Sequence, residues 1–243
     1  GIRINTLKIT PDDFFAYTNF ELEKSPFAKN GYYANIKSGV GFTPEHMAGF
    51  FYIQEPSASS AVTILDPKPG MKVLDMCAAP GSKSTQISEM LEQEGLLVAN
   101  EIHPTRSRIL LENIERCGSA NTIVLNNDPK DISKAFPEFF DMVLCDAPCS
   151  GEGMFRKEDQ AVEQWSLENV QACALRQSYI LEEAYKCLKP GGTMVYSTCT
   201  FAIEENELCM QKFIQEHPDM HLVPIEVDFG RKAFDLGSHT DYA

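Results

Sequence analysis

The stretch "KVLDMCAAPGSKST", residues 72–85, decides the fold class of this 243-residue chain. A short apolar run stops at Met76, a loop of small residues follows, and a helix-forming segment opens at Ser82. A passage from strand to helix across a short loop is the first half of a β-α-β unit.

The same alternation continues beyond that stretch. Four more short apolar runs predict strands: "LLVANE" (96–101), "NTIVLN" (121–126), "DMVLCDA" (141–147) and "GTMVYST" (192–198). Helix-forming segments alternate with them at residues 82–93, 104–117, 167–188 and 204–216. The pattern predicts an α/β fold, a doubly wound Rossmann-like sheet with right-handed crossovers and helices on both faces. Ligands bind such sheets beyond the carboxyl ends of the strands.

Residues 1–65 predict a small N-terminal α/β subdomain ahead of a main domain over residues 66–243. Residues 2–9 alternate apolar and polar as in a strand, and Pro11 opens a helix. A second helix is predicted over residues 57–65, where small and apolar residues follow Pro56.

Composition narrows the class of protein. No uncharged run approaches the roughly 18 apolar residues of a membrane helix, and no signal peptide opens the chain. Eight cysteines without a C-x-x-C pair argue against zinc and for reduced thiols, so we expect a cytoplasmic protein. The net charge of -14 means that a nucleic-acid partner needs a local basic patch or a further domain.

The loop after the first strand has the character of a ligand-binding turn. Small residues Ala78, Ala79 and Gly81 allow close approach of a ligand, and the helix opening at Ser82 offers N–H groups. Both the G-x-G-x-x-G and the Walker patterns are missing from it. A dinucleotide or P-loop site is therefore disfavoured.

Carboxylates end the next two predicted strands. Glu101 is placed to accept hydrogen bonds from ribose hydroxyls, and Asp128 to accept one from an adenine amino group. This set suits an adenosine ligand without pyrophosphate, and S-adenosyl-methionine is the natural candidate.

Two later strands end in loops that carry cysteines. Asp146 and Cys149 lie in "DAPCSGEG", and Cys199 lies in "STCT". A buried, inert thiol is the default for one cysteine. In a methyltransferase sheet these two strands are neighbours, so we expect the loops to face each other.

Four segments together resemble the Sun family of RNA cytosine-5 methyltransferases, especially the bacterial RsmF-like enzymes of 16S ribosomal RNA. They are "FYIQEPSASSAV", "DMCAAPGSKST", "DAPCSGEGMFRK" and "YSTCTFAIEENE", and the resemblance runs from "RINTLK" to Pro218. It implies methyl transfer from S-adenosyl-methionine to carbon 5 of a cytosine in RNA, with ribosomal RNA, free or within a ribosomal subunit, as the partner. Transfer RNA or another RNA is the alternative substrate, and a non-catalytic ribosomal RNA-binding assembly factor is the alternative role.

The resemblance also implies roles for individual residues. Cys199 becomes the nucleophile and Cys149 the second cysteine, associated with product release. The implied cofactor contacts are Cys77, Ala78, Ala79, Pro80, Gly81, Ser82, Lys83, Glu101, Asp128 and Asp146. We expect a monomer without metal or membrane contact. Because the family continues into closing strands and an RNA-binding region, we also expect a catalytic fragment that lacks them. The opening "GIRINTLKI" reads like the middle of a protein, so we expect an N-terminal segment to be missing as well.

The chemistry explains why such a site needs cysteine. Carbon 5 of cytosine is a weak nucleophile until a thiolate adds to carbon 6, and the target base must first leave its stack. Asp146 is expected to stabilise the charge that develops on the ring. A helix predicted from Glu204 favours ionisation of Cys199 through its dipole, whereas the charges of Glu204 and Glu205 oppose it.

Two further expectations concern the Cys149 loop. Phe155, Arg156 and Lys157 are candidates to hold the flipped base or its phosphates. DNA cytosine-5 methyltransferases use the cysteine of a Pro-Cys pair, which would make Cys149 the nucleophile instead.

Overall fold

The computed structural model describes residues 1–35, 39–157 and 159–233, which form two sheets. The first is antiparallel, in the order β2-β3-β1-β4, with β1 (Ile2–Ile4), β2 (Leu22–Lys24), β3 (Gly31–Ala34) and β4 (Phe51–Ile53). The second is parallel, in the order β7-β6-β5-β8-β9, with β5 (Lys72–Asp75), β6 (Leu96–Asn100), β7 (Thr122–Leu125), β8 (Phe140–Asp146) and β9 (Leu188–Ser197).

The helices of the described residues separate the strands. They are α1 (Pro11–Tyr17), α2 (Pro44–Met47), α3 (Ser60–Leu65), α4 (Ser82–Met90), α5 (Pro104–Cys117), α6 (Pro129–Ala135), α7 (Asp159–Gln164), α8 (Leu167–Cys187) and α9 (Glu207–Glu216).

The parallel sheet confirms the predicted doubly wound fold. Its central strand β5 pairs with β6 on one side and β8 on the other, so the strand order reverses beside β5. Successive side chains of a strand point to opposite faces. Val73 accordingly packs in a cluster with residues of α3 and α4, and Leu74 in a cluster with residues of α6, α8 and α9.

The N-terminal subdomain differs from its prediction in arrangement. The predicted strand over residues 2–9 is too long, because β1 ends at Ile4 and the side chain of Asn5 accepts a hydrogen bond from Leu7 N in a turn. The helix predicted over residues 57–65 is a 3-10 turn (Pro56–Ser59) followed by α3. Because α3 packs against the parallel sheet, it belongs with the main domain in space, and the division at residue 65 stays a prediction.

A buried arginine joins the two sheets. Arg3 of β1 is 2% exposed and forms an ion pair with Glu89 of α4, while its Nη2 donates to Thr85 Oγ1 at 2.7 Å. Glu89 also accepts hydrogen bonds from Thr6 and Asn30. The antiparallel sheet is thereby fixed beside the helix that opens at the predicted ligand loop.

Candidate active site

Two cysteine thiols lie against each other at the carboxyl ends of β8 and β9. Asp146 at the tip of β8 is in register with Ser197 at the tip of β9. The loops that follow bring the Sγ atoms of Cys149 and Cys199 to 3.1 Å. Cys199 is exposed and Cys149 is half-buried. The predicted proximity of the two loops is confirmed, whereas the roles of the thiols stay predictions.

The two thiols prefer opposite protonation states. A hydrogen bond from Cys149 lowers the pKa of Cys199 to about 7, against burial and the charge of Asp146 and with help from the Lys83 ammonium. The same hydrogen bond, together with burial, raises the pKa of Cys149 far above its usual range. Since the thiolate is the nucleophilic form, Cys199 is the better nucleophile of the pair at neutral pH.

The helix after Cys199 does not act as the sequence suggested. It begins at Glu207 rather than Glu204, and a helix dipole acts within its first turn. Glu205 is fully buried, and its carboxylate accepts hydrogen bonds from Ser150 N and the Gln177 amide. The pKa of Cys199 responds instead to Cys149, Asp146 and Lys83.

An ion pair stands beside the thiols. Lys83 Nζ lies 2.6 Å from Asp146 Oδ2, and Ser197 Oγ donates to Asp146 Oδ1 at 2.7 Å. The pair links the tip of β8 to the first turn of α4. It therefore places the predicted cofactor loop next to the predicted nucleophile.

The predicted cofactor loop is a tight, largely buried turn. Ala78, Ala79 and Gly81 are buried, and Pro80 is exposed. Gly81 has φ +109°, and a Cβ there would lie 3.2 Å from Leu110 Cδ1. A side chain at this position would therefore be strained and crowded, and the glycine lets α4 begin directly at the loop.

The two other predicted carboxylates lie further along the same edge of the sheet. Glu101 is buried, its Oε1 accepts a hydrogen bond from His103 N at 2.9 Å, and Arg106 Nη1 lies 3.6 Å from its Oε2. Asp128 caps α6, accepting from Lys130 N at 2.9 Å, and also accepts a hydrogen bond from the Tyr179 hydroxyl. Their roles toward an adenosine ligand stay predictions.

Polar side chains for which the sequence gives no functional signal join the two cysteine loops. Gln177 of α8 donates to Pro148 O at 3.0 Å and to Glu205 Oε2 at 2.7 Å. Glu152 accepts hydrogen bonds from the loop of Cys199, and Asn206 donates to Thr200 O and Ala202 O. A glutamate in a loop is usually a solvated surface residue. The roles of Glu152, Gln177 and Asn206 become visible only when the three-dimensional course of the chain is known.

The basic residues after Cys149 face the N-terminal subdomain. Lys157 forms an ion pair with Glu55, Arg156 is exposed, and Phe155 is half-buried. Contact of these residues with a nucleic acid stays a prediction.

Neither a metal-binding cluster nor a membrane-spanning helix occurs among residues 1–35, 39–157 and 159–233. In that part of the chain, no three His, Cys, Asp or Glu side chains are grouped so as to hold a metal ion. Within the same ranges, no helix has the length and apolar character needed to cross a membrane.

Comparison with known proteins agrees with this geometry. The family model described as 16S rRNA methyltransferase RsmB/F matches residues 62–240, and that of the N-terminal domain of 16S rRNA methyltransferase RsmF matches residues 1–56. Ribosomal RNA small subunit methyltransferase F of Vibrio cholerae is 46% identical over 215 residues, which is 85% of this chain and 46% of the relative. The Escherichia coli (strain K12) protein of the same name is 41% identical over 228 residues, 90% of this chain and 48% of the relative.

A solved structure shows the same fold. The methyltransferase homolog protein from Pyrococcus horikoshii superposes with a TM-score of 0.84 at 33% identity, over 96% of this chain and 74% of that one. This chain spans about half the length of the curated relatives it matches. Since the family models together cover both sheets, the chain belongs to the 16S rRNA methyltransferase RsmB/F family.

Proposed function

We propose that this chain transfers the methyl group of S-adenosyl-methionine to carbon 5 of a cytosine in RNA, with small-subunit ribosomal RNA as the substrate. The observation that carries the proposal is the Cys149–Cys199 thiol pair, 3.1 Å apart beside the Lys83–Asp146 ion pair. Membership of a ribosomal RNA methyltransferase family supports the substrate class.

The strand tips fit an adenosine-type methyl donor. The largely buried turn at residues 77–82 offers backbone N–H groups at the start of α4 and carries only small side chains. Glu101 and Asp128 supply carboxylates at the ends of β6 and β7 for a ribose and an adenine. S-adenosyl-methionine bound there supplies an electrophilic methyl group.

Cys199 carries the covalent step. Its thiolate forms a bond to carbon 6, and the electron pair of the ring double bond moves to carbon 5, which then accepts the methyl group. Asp146, held by Lys83 and Ser197, is positioned to hydrogen-bond the ring nitrogen or the amino group of the cytosine as charge develops in the addition. The hydrogen bonds from Lys83 and Ser197 orient the Asp146 carboxyl group before a cytosine binds. A group oriented in advance stabilises developing charge more strongly than one that must reorient.

Cys149 suits the removal of the carbon 5 proton. In the resting site its pKa is raised because the Cys199 sulfur accepts its hydrogen bond and carries negative charge. Once that sulfur is bonded to carbon 6, both of these causes disappear while burial remains, so the pKa of Cys149 falls and its thiol can lose its proton to water. The Cys149 thiolate then takes the carbon 5 proton, the C–H electron pair restores the ring double bond, and Cys199 leaves as thiolate.

We infer the surroundings of the protein from the same chemistry. A ribosomal RNA substrate and reduced, reactive thiols fit a cytoplasmic location. The site is assembled within one chain, which fits action as a monomer.

Trapping on RNA tests the proposal. RNA with 5-fluorocytosine carries a fluorine that cannot leave as the proton does, so the adduct persists and migrates as a protein–RNA species in denaturing gels. We expect Cys149→Ala to retain the adduct and Cys199→Ala to lose it. The reverse pattern would make Cys149 the nucleophile. A parent chain that forms no adduct and binds no S-adenosyl-methionine by calorimetry would instead be a non-catalytic RNA-binding factor.

A further inference from the structure

The backbone around Cys199 lies between β9 and α9, outside any regular element. A polar backbone group in such a segment needs a partner from elsewhere. Cys199 N donates to Cys149 Sγ at 3.3 Å, and Cys199 O accepts from Gly153 N at 2.7 Å. Two residues later, Phe201 N donates to Glu152 Oε2 at 2.8 Å. The loop of Cys199 is therefore held from outside by the loop of Cys149.

Glu152 makes the charged contacts in this arrangement. Its Oε2 also lies 3.2 Å from Thr200 Oγ1, and its Oε1 accepts a hydrogen bond from Trp165 Nε1 at 3.0 Å. A carboxylate accepts at both oxygens, which matches the N–H donors that converge on it. Hydrogen bonds to an ionised group are about twice as strong as neutral ones.

From these contacts we infer that Glu152 is a positioning residue, which fixes the backbone of Cys199 so that its thiol stays against Cys149. The inference deepens the proposed function, on which the meaning of the thiol pair rests. Glu152 acts through hydrogen bonds to Thr200 and Phe201, the two residues that follow the proposed nucleophile.

The direction of the pKa change separates positioning from a direct electrostatic effect. The groups that act on Cys199 are Cys149 from its loop, Asp146 from β8 and Lys83 from α4. Removing the negative charge of Glu152 would, by charge alone, lower the pKa of Cys199. Loss of the contact with Cys149 would raise it, because the Cys149 hydrogen bond is the largest cause of the lowering.

The decisive experiment is alkylation of Cys199 by iodoacetamide across a pH series, followed in the Cys199 peptide by mass spectrometry. For Glu152→Ala we expect the midpoint to move up toward the free-thiol value near 8.5, which slows alkylation at pH 7 about ten-fold. Glu152→Gln keeps one acceptor oxygen, for Phe201 or for Trp165, so its alkylation midpoint should lie between those of the parent and Glu152→Ala. The control Glu163→Gln removes an exposed charge on α7 and should match the parent.

An unchanged or lowered midpoint in a folded Glu152→Ala protein overturns the inference. If circular dichroism shows that Glu152→Ala does not fold, Glu152→Asp takes its place, because its carboxylate is held on a side chain one methylene shorter. A raised midpoint of Cys199 alkylation in Glu152→Asp supports positioning, and a midpoint equal to that of the parent refutes it. Alkylation needs neither RNA nor cofactor, so failure of the proposed function leaves this test intact. If the parent forms the 5-fluorocytosine adduct, Glu152→Ala should form it about ten-fold more slowly at saturating RNA, because the fraction of Cys199 present as thiolate falls by about that factor. RNA binding should be unchanged.

Discussion

At the scale of single residues, one hydrogen bond gives two chemically identical side chains different pKa values. Cys149 and Cys199 are both strand-tip cysteines, yet the pKa of Cys199 is lowered and that of Cys149 is raised. The two values belong to a coupled pair, so a change at either thiol changes the other. In the proposed mechanism the order of the two steps follows from this coupling, because a bond between Cys199 and carbon 6 removes the hydrogen bond and the negative charge that raise the pKa of Cys149.

Asp75 gives a prediction about pH and stability. It is fully buried at the tip of β5, and burial raises its pKa to about 7, against the hydrogen bond that Ser84 Oγ donates at 2.6 Å. Because this pKa exceeds the ordinary 3.8, the folded chain binds the proton more tightly than the unfolded chain. The stabilising contribution of Asp75 is therefore complete below pH 3.8 and is lost as the pH rises toward 7.

Urea unfolding of Asp75→Asn against the parent checks this. Asparagine stays neutral and still accepts from Ser84, so the variant should gain stability relative to the parent between pH 4 and pH 8, with the difference greatest at the alkaline end. Ser88→Ala, a buried change on α4 whose hydroxyl contacts the Asn121 amide rather than a carboxylate, should show an offset that does not grow over this range. A constant offset for Asp75→Asn as well would mean that Asp75 is ionised throughout.

At the scale of elements, the central strands could be read from the sequence, but their surroundings could not. Parallel strands buried on both faces are continuous apolar runs, which is why β5 and β6 were found within about two residues. The short helices α6 and α7 have too few apolar residues to show a period. The start of α9 was predicted three residues early, since Glu205 and Asn206 look helical but are used to hold the Cys199 loop.

The cap of α6 gives a prediction at this scale. Asp128 accepts from Lys130 N in the first turn, and such a cap contributes about 1 kcal/mol to helix or protein stability. We expect Asp128→Ala to lower the free energy of unfolding in a urea titration by at least about that amount, because the substitution also removes the hydrogen bond from the Tyr179 hydroxyl. Asp131→Ala, which removes an exposed acid from the same turn, should cost only a few tenths. Equal losses for the two variants would show that charge, rather than capping, stabilises α6.

At the scale of the whole molecule, the site depends on how the two sheets meet. The sequence predicted a separate N-terminal subdomain but gave no sign that Arg3 would be buried, because an arginine in an alternating strand is ordinarily on the solvent side. Its ion pair with Glu89 joins β1 to α4, the helix that also carries Lys83. The antiparallel sheet is therefore fixed to the helix that follows the predicted cofactor loop.

Arg3→Met tests whether the buried Arg3–Glu89 ion pair holds the two sheets together. Removing one partner of a buried ion pair leaves an uncompensated charge, which costs about 3–5 kcal/mol in the free energy of unfolding. Lys68→Met is the matched control, because Lys68 and Asp66 form an exposed pair of 59% and 54% accessibility, and such pairs contribute at most about 1 kcal/mol. Adding Glu89→Gln to Arg3→Met removes the stranded charge and should recover part of the loss. Urea unfolding measures all three, and a loss for Arg3→Met no larger than that for Lys68→Met would show that the sheets are held together by apolar packing instead.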